Sequence, residues 1–156
     1  MTMKNRKFDE LVRFLKETYE ERVPFHDILK LQVVSLEEDN VCVKVEMRKE
    51  LFGNYKYEML HGGVIASILD ATNGAVVSVG VVKKMVDKPF EEIKEQIFKI
   101  GTIDLRIDFL KPGQGSYFLS TGFTLRIGNK IAVAQSSLRN DKDILIASGT
   151  GTYLLG

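Results

Sequence analysis

The chain has 156 residues, enough for one domain with a substantial core and too few for two comfortable ones. Its 22 Lys and Arg against 21 Asp and Glu leave a formal charge of +1, with no basic run, so a nucleic-acid platform is excluded as an expectation. The single cysteine, Cys42, rules out an intrachain disulfide, and the opening MTMKNRKFDE lacks the apolar core of a signal peptide; a cytoplasmic setting is expected.

Phe8, Leu11, Val12, Leu15 and Tyr19 recur at helical spacing, which predicts an amphipathic helix within residues 1–24, closed ahead of Pro24. A strand over 31–36, a turn at Glu38-Asp39-Asn40 and a second strand follow. In that second strand Val41, Val43, Val45 and Met47 alternate with Cys42, Lys44, Glu46 and Arg48. Residues 51–60 read as irregular, with a loop at Gly53-Asn54. The stretch 61–82 predicts a long central helix, apolar all round and therefore buried; its 64–82 run holds one charged residue, Asp70. Asp70 and the Ser, Thr, Asn and Gly around it argue against a membrane span.

A charged insert occupies 83–99. Pro89 suits the first position of a helix there, with Phe90, Ile93 and Ile97 as a narrow apolar stripe on a short surface helix. Four strands complete the chain. Ile103, Leu105, Ile107 and Phe109 alternate up to a turn at Lys111-Pro112-Gly113, and a second strand covers 117–127. Gly128-Asn129 signals a two-residue hairpin into 131–138, and Asn140 to Asp143 makes a turn into 144–155. Strands joined by short turns are antiparallel, and their apolar face needs a cover that the apolar helix supplies. The expectation is an α+β chain, one domain over 1–156, with about six antiparallel strands curled around the central helix.

Several catalytic signatures are absent: no G-x-S-x-G, no P-loop, no G-x-G-x-x-G after a strand, no H-E-x-x-H. His26, His61 and Cys42 are too few and too scattered for a metal site, so none is expected. What remains is a carboxylate and a helix start. An isolated acid is costly to bury, so Asp70 is either a structural acid held by a hydroxyl or an Arg, or a group used in chemistry. Gly62 and Gly63 let backbone approach a ligand closely, and the Gly62 amide is placed to polarise a carbonyl oxygen. His61 is a second candidate donor there, though capping the helix is its simpler role.

Eight residues of helix separate Gly62 from Asp70, about 12 Å. One small carbonyl cannot touch both, so joint action requires a dimer that brings Asp70 of one copy to Gly62 of the other. Ala66, Ser67, Asn73 and Gly74 are small enough to let that face be approached.

Leu60-His61-Gly62-Gly63 followed by Asp70, with the run GTIDLRIDFLKP at 101–112, resembles the hotdog-fold acyl-CoA thioesterases of the phenylacetate-pathway (PaaI-like) group, over about residues 25 to 155. The resemblance implies a curved antiparallel sheet around a long helix, in dimers or dimers of dimers. It implies that Asp70 activates water or attacks the thioester carbonyl, and that the Gly62 amide polarises that carbonyl. Asn54 is then the loop residue that places carbonyl or water, and Thr102 the hydroxyl that holds the water. Gly63 and Asn73 fall beside the substrate. Lys111, Arg126, Lys130 and Arg139 are candidates for the phosphates of coenzyme A. Such a reaction requires no metal or organic cofactor. Phe90, Ile93, Ile97 and Phe98 either line an acyl tunnel or are plain core. Two other readings stand beside this one: a non-catalytic acyl-CoA-binding or sensing module, and a hydratase relying on His61.

Overall fold

The structure, a computed structural model, describes residues 3–37 and 40–156. Helix α1 (Met3–Glu17) carries the expected apolar stripe, with Leu11, Phe14 and Leu15 buried. It ends well before Pro24. Thr18 donates its hydroxyl back to the Phe14 carbonyl at 2.8 Å, and Thr18–Arg22 widens into a π turn. A short helix α2 (Pro24–Leu29) follows, with Pro24 at its start and Lys30 closing it in the left-handed region at φ 52°. The sequence pattern offers no element there, because so short a helix shows no periodicity.

Strands β1 (Gln32–Glu37) and β2 (Asn40–Glu46) pair antiparallel. Of the turn expected at Glu38-Asp39-Asn40, Glu38 and Asp39 lie outside the described residues, and Asn40 opens β2. Val41, Val43 and Val45 are fully buried, as their alternation predicts. The supposedly irregular 51–60 contains a small ribbon, β3 (Phe52–Asn54) with β4 (Met59–Leu60).

Helix α3 (Gly62–Lys84) is the central helix, capped by His61. It extends past the expected end because Lys83 and Lys84 complete its last turn, where cations suit the dipole. Lys84 Nζ donates to the Gly128 carbonyl at 2.6 Å, tying that end to the far hairpin. Helix α4 (Phe90–Phe98) has Pro89 as its N-cap rather than its first helical residue. Ile93 and Ile97 are buried, and the Phe90 and Phe98 rings stand edge-on to Phe14 at 6.2 and 5.9 Å. The insert therefore packs onto α1.

Strands β5 (Gly101–Phe109), β6 (Tyr117–Ile127), β7 (Ile131–Asn140) and β8 (Leu145–Leu154) complete the main sheet, in the order β1-β2-β6-β7-β8-β5, antiparallel throughout. The β6–β7 loop is shifted by one residue from the expected Gly128-Asn129. The Gly128 amide bonds the Ile131 carbonyl at 2.8 Å, leaving Asn129 and Lys130 as the loop residues. The sheet closes on α3 where side chains are small: a Cβ on Gly122 would stand 2.9 Å from Val76. The Thr72 hydroxyl, 2.7 Å from that of Ser120, links the two layers. By length and composition α3 could cross a membrane, yet 67% of its most apolar window is buried inside this wrapper. The α+β architecture expected from the sequence is the one observed, with α2 and the β3–β4 ribbon added.

Candidate active site

The site is built on the first half of α3. At its start, Leu51 accepts the His61 amide at 2.8 Å, and His61 Nδ1 accepts the Gly63 amide at the same distance. The His61 ring is thus a helix cap, and as an acceptor Nδ1 carries no proton. The Gly63 amide is engaged by this cap. The Gly62 amide has no acceptor among the described residues, so it is the one available at the positive end of the helix. The Phe109 ring packs beside it, 3.5 Å from where a Cβ on Gly62 would stand.

Asp70 lies two turns further along, half-buried. Thr102 Oγ1 donates to Asp70 Oδ1 at 2.9 Å, and the Tyr153 hydroxyl donates to the same oxygen at 2.8 Å. These strands meet at this point because Thr102 on β5 is paired with Tyr153 on β8, so both side chains point inward onto α3. Hydrogen bonds to a charged group contribute about 1.5–3 kcal/mol each, enough to fix the carboxylate in one orientation. Both donors converge on Oδ1. Oδ2 has no hydrogen-bond partner among the described residues.

A cavity of about 300 Å³ opens beside the carboxylate, between the π turn, α3, α4 and the start of β5. Tyr19 and His26 line it, their rings 5.1 Å apart and tilted by 35°. Burial, then the charge of Asp70 and the hydrogen bond to it, raise the Tyr153 phenol far above its ordinary range, so it serves only as a donor. Burial also pushes Tyr19 up to about 12; Asp70 adds to the rise, and a hydrogen bond with the Ser78 side chain opposes it. Burial lowers His26, against the opposing effects of the Tyr19 carbonyl and Asp70. At neutral pH the rings that face Asp70 are therefore uncharged.

The other sequence candidates divide. Thr102 reaches the carboxylate itself. Asn54 ends β3, where its Oδ1 accepts the amides of Lys56 and Tyr57 at 3.1 and 3.3 Å and shapes that turn. Asn73 is fully buried and does not line the cavity; its side-chain amide has no partner among the described residues. Lys111 is exposed just past β5. Arg126 and Lys130 belong to the hairpin that Lys84 grips, about 21 Å along α3 from Asp70, so the structure does not bring them to it. Arg139 is paired with Asp143 at 3.6 Å. Ile97 and Phe98 line the cavity, whereas Ile93 is core and Phe90 packs on Phe14. Tyr153, Tyr19 and His26 are not among the sequence candidates. Their only signal was being isolated aromatic or imidazole side chains, and nothing local told where the chain would carry them.

The chain matches the thioesterase superfamily over residues 57–147, a span that contains Gly62, Asp70 and Thr102. It belongs to that superfamily. Tyr19 and Tyr153 lie outside the matched span. The medium/long-chain acyl-CoA thioesterase YigI of Escherichia coli K12 is 34% identical over 148 residues, covering 95% of this chain and 96% of YigI. A solved Shewanella oneidensis protein related to the superfamily has a TM-score of 0.92 at 38% identity, covering 96% and 97% of the two chains. Another, from Syntrophus aciditrophicus SB, has 0.85 at 40% identity, covering 96% and 99%. The family's hotdog fold is thus the fold of this chain.

Proposed function

We propose that the protein hydrolyses acyl-CoA thioesters to the free acid and coenzyme A, with Asp70 Oδ2 as the working atom. The observation that carries this is the convergence of Thr102 and Tyr153 on Oδ1: a half-buried carboxylate held by one oxygen presents the other to a ligand. Oδ2 takes a proton from water as that water adds to the thioester carbonyl, or adds to the carbonyl itself. The oxyanion accepts a backbone N–H. Collapse breaks the C–S bond: in the first route the thiolate leaves with the proton that Asp70 gathered, and in the second it leaves an acyl-aspartyl anhydride that water then cleaves, releasing the acid and regenerating Asp70. A thioester needs no more than this, because its carbonyl is electrophilic and its thiolate leaves readily.

The backbone N–H comes from a second copy in this reading, since Gly62 and Asp70 of one chain are about 12 Å apart on one helix. Strand β5 supports it. Within the chain Thr102 bonds Asp70 and the Phe109 ring lies beside Gly62. If two β5 edges pair antiparallel with residue 102 opposite residue 109, each Asp70 meets the other copy's Gly62. That pairing also covers Ile103 and Leu110, exposed at 57% and 52%. The relative YigI, a medium/long-chain acyl-CoA thioesterase by name, supports the substrate class. The hydratase reading loses its base, because His61 Nδ1 is engaged by Gly63.

The test is thiol release from a panel of acyl-CoA esters by wild type and Asp70→Asn. Wild-type turnover that drops by about 10² to 10⁴ in the variant, with circular dichroism unchanged, is expected. Acyl-CoA that binds tightly and is never consumed by wild type overturns the reading in favour of a sensing module.

A further inference from the structure

A thioester carbonyl and its attacking water do not fill the cavity beside Asp70, whose volume of about 300 Å³ is many times the roughly 30 Å³ that one water occupies in the liquid. We propose that the cavity receives the acyl tail of the substrate, an unbranched alkyl chain, and that Tyr19 is its end wall and sets the longest chain that fits. This rests on the thioesterase reading above.

Three observations carry it. The first is position. Along α3, Gly74 follows Asp70 by one turn, about 6 Å, and Ser78 by two. The Tyr19 hydroxyl stands 3.1 Å from where a Cβ on Gly74 would be, and Tyr19 shares the cavity wall with Ser78. The phenol therefore lies across the helix one turn beyond the carboxylate, in the path of any tail leading away from it. Glycine at position 74 is what admits it so close.

The second is lining. Val23, Ala71, Ile97, Phe98 and Ile100 present apolar surface. The hydroxyls among them are already satisfied: Thr18 bonds the Phe14 carbonyl and Ser78 the Gly74 carbonyl, each at 2.8 Å. An alkyl tail passing these two hydroxyls strands neither of them.

The third is rigidity. The His26 ring leans on the Tyr19 ring, and His26 Nδ1–H donates to the Tyr19 carbonyl at 3.0 Å. The π turn fixes the backbone between them. A braced ring rejects one methylene too many, where a loose one would swing aside.

The experiment compares kcat/KM on straight-chain acyl-CoA esters from short to long, for wild type, Tyr19→Ala, Tyr19→Phe and Gly74→Ala. Tyr19→Ala is expected to raise the long-to-short ratio on the order of 10-fold or more. Tyr19→Phe should keep the wild-type ratio, since the ring closes the cavity, and Gly74→Ala should lower it. A merely structural Tyr19 would lower the melting temperature and leave the ratios alone. An unchanged ratio in a folded, active Tyr19→Ala overturns the inference, as does a Tyr19→Phe that shifts as Tyr19→Ala does. Should Tyr19→Ala not fold, an acyl-CoA with a photoreactive diazirine at the tail end, bound to Asp70→Asn, decides instead. Adducts at Tyr19 or Phe98 support the end wall, and adducts elsewhere overturn it. Wild type releasing no thiol at any length overturns the thioesterase reading and this inference together; an active wild type whose ratio no variant moves overturns this one alone.

Discussion

At one edge of the sheet β1 lies under α1, with Val33 and Leu36 buried and the Val33 amide donating to Glu20 Oε1 at 2.7 Å. A register shift between Val33 and Ser35 kinks that edge. At the other edge, β5 leaves Phe109 58% exposed beside an equally open Ile103, and nothing among the described residues pairs its outer side. Both edges carry a register shift, Thr102/Asp104 in β5 as well as Val33/Ser35 in β1, so the contrast is one of cover: an edge overlain by helices resists a second strand, and one that is long and open invites it. Both arise from the same alternating pattern, so the difference lies in what the rest of the chain puts over each. The helices of the first thirty residues close β1. Nothing among the described residues closes β5, and β5 is the strand whose two ends lie against Asp70 and beside Gly62.

The sharpest way to break this comparison is to charge one edge at a time. Ile103→Lys with Leu110→Lys is expected to halve the mass seen by light scattering and to abolish turnover with it. Val34→Lys on β1 should change neither. Full activity in a monomeric double variant would contradict shared sites. Next in size is the strand beside β5. Tyr153→Phe removes one of the two donors to Oδ1 and is expected to lower kcat about 10- to 100-fold with KM little changed, since orientation is lost and binding is not. Unaltered kcat would show that Thr102 alone holds the carboxylate.

A smaller effect is expected where neither edge is involved. Asn73 is buried without a partner among the described residues, a cost of about 1–3 kcal/mol. Asn73→Leu should raise the melting temperature by a few degrees and leave kcat/KM alone; a raised KM would instead make Asn73 a substrate contact. The smallest belongs to the closed side. Burial holds His26 below its ordinary value, so between the two values the unfolded chain binds more protons. The stability this confers is complete above about pH 6.5 and declines as pH falls through that range toward the lowered folded value. Thermal melts from neutral to acidic pH should show wild type losing more than His26→Gln, and parallel curves would remove His26 from the acid response.

How much of this could be read from residues alone follows a physical line. Alternation of Val41, Val43 and Val45 announced a strand, because period two is a local property. The apolar stretch with its one acid announced a buried helix and singled out Asp70. The cap at His61 was within reach of spacing, whereas Thr102 was singled out only through the resemblance, as a hydroxyl holding water, and its bond to Asp70 is a finding of the structure. Tyr153 was not: it meets Asp70 only because β5 and β8 pair in a register that brings Thr102 alongside it, and register is set by the whole sheet. Helix α2 and the π turn were missed because so few residues carry no period. Asn73 looked like a surface contact because it follows Asp70 by one turn, yet a small rotation about the axis separates a cavity wall from the core.

The π turn at Thr18–Arg22 holds a further consequence. Such a turn contains one residue more than the helix around it needs. Taking that residue away would rotate everything after it by about 100° and swing a different side chain toward Gly74, with the acid on α3 untouched. On the end-wall proposal above, the longest accepted tail would thus be set in this turn, apart from the acid that does the chemistry.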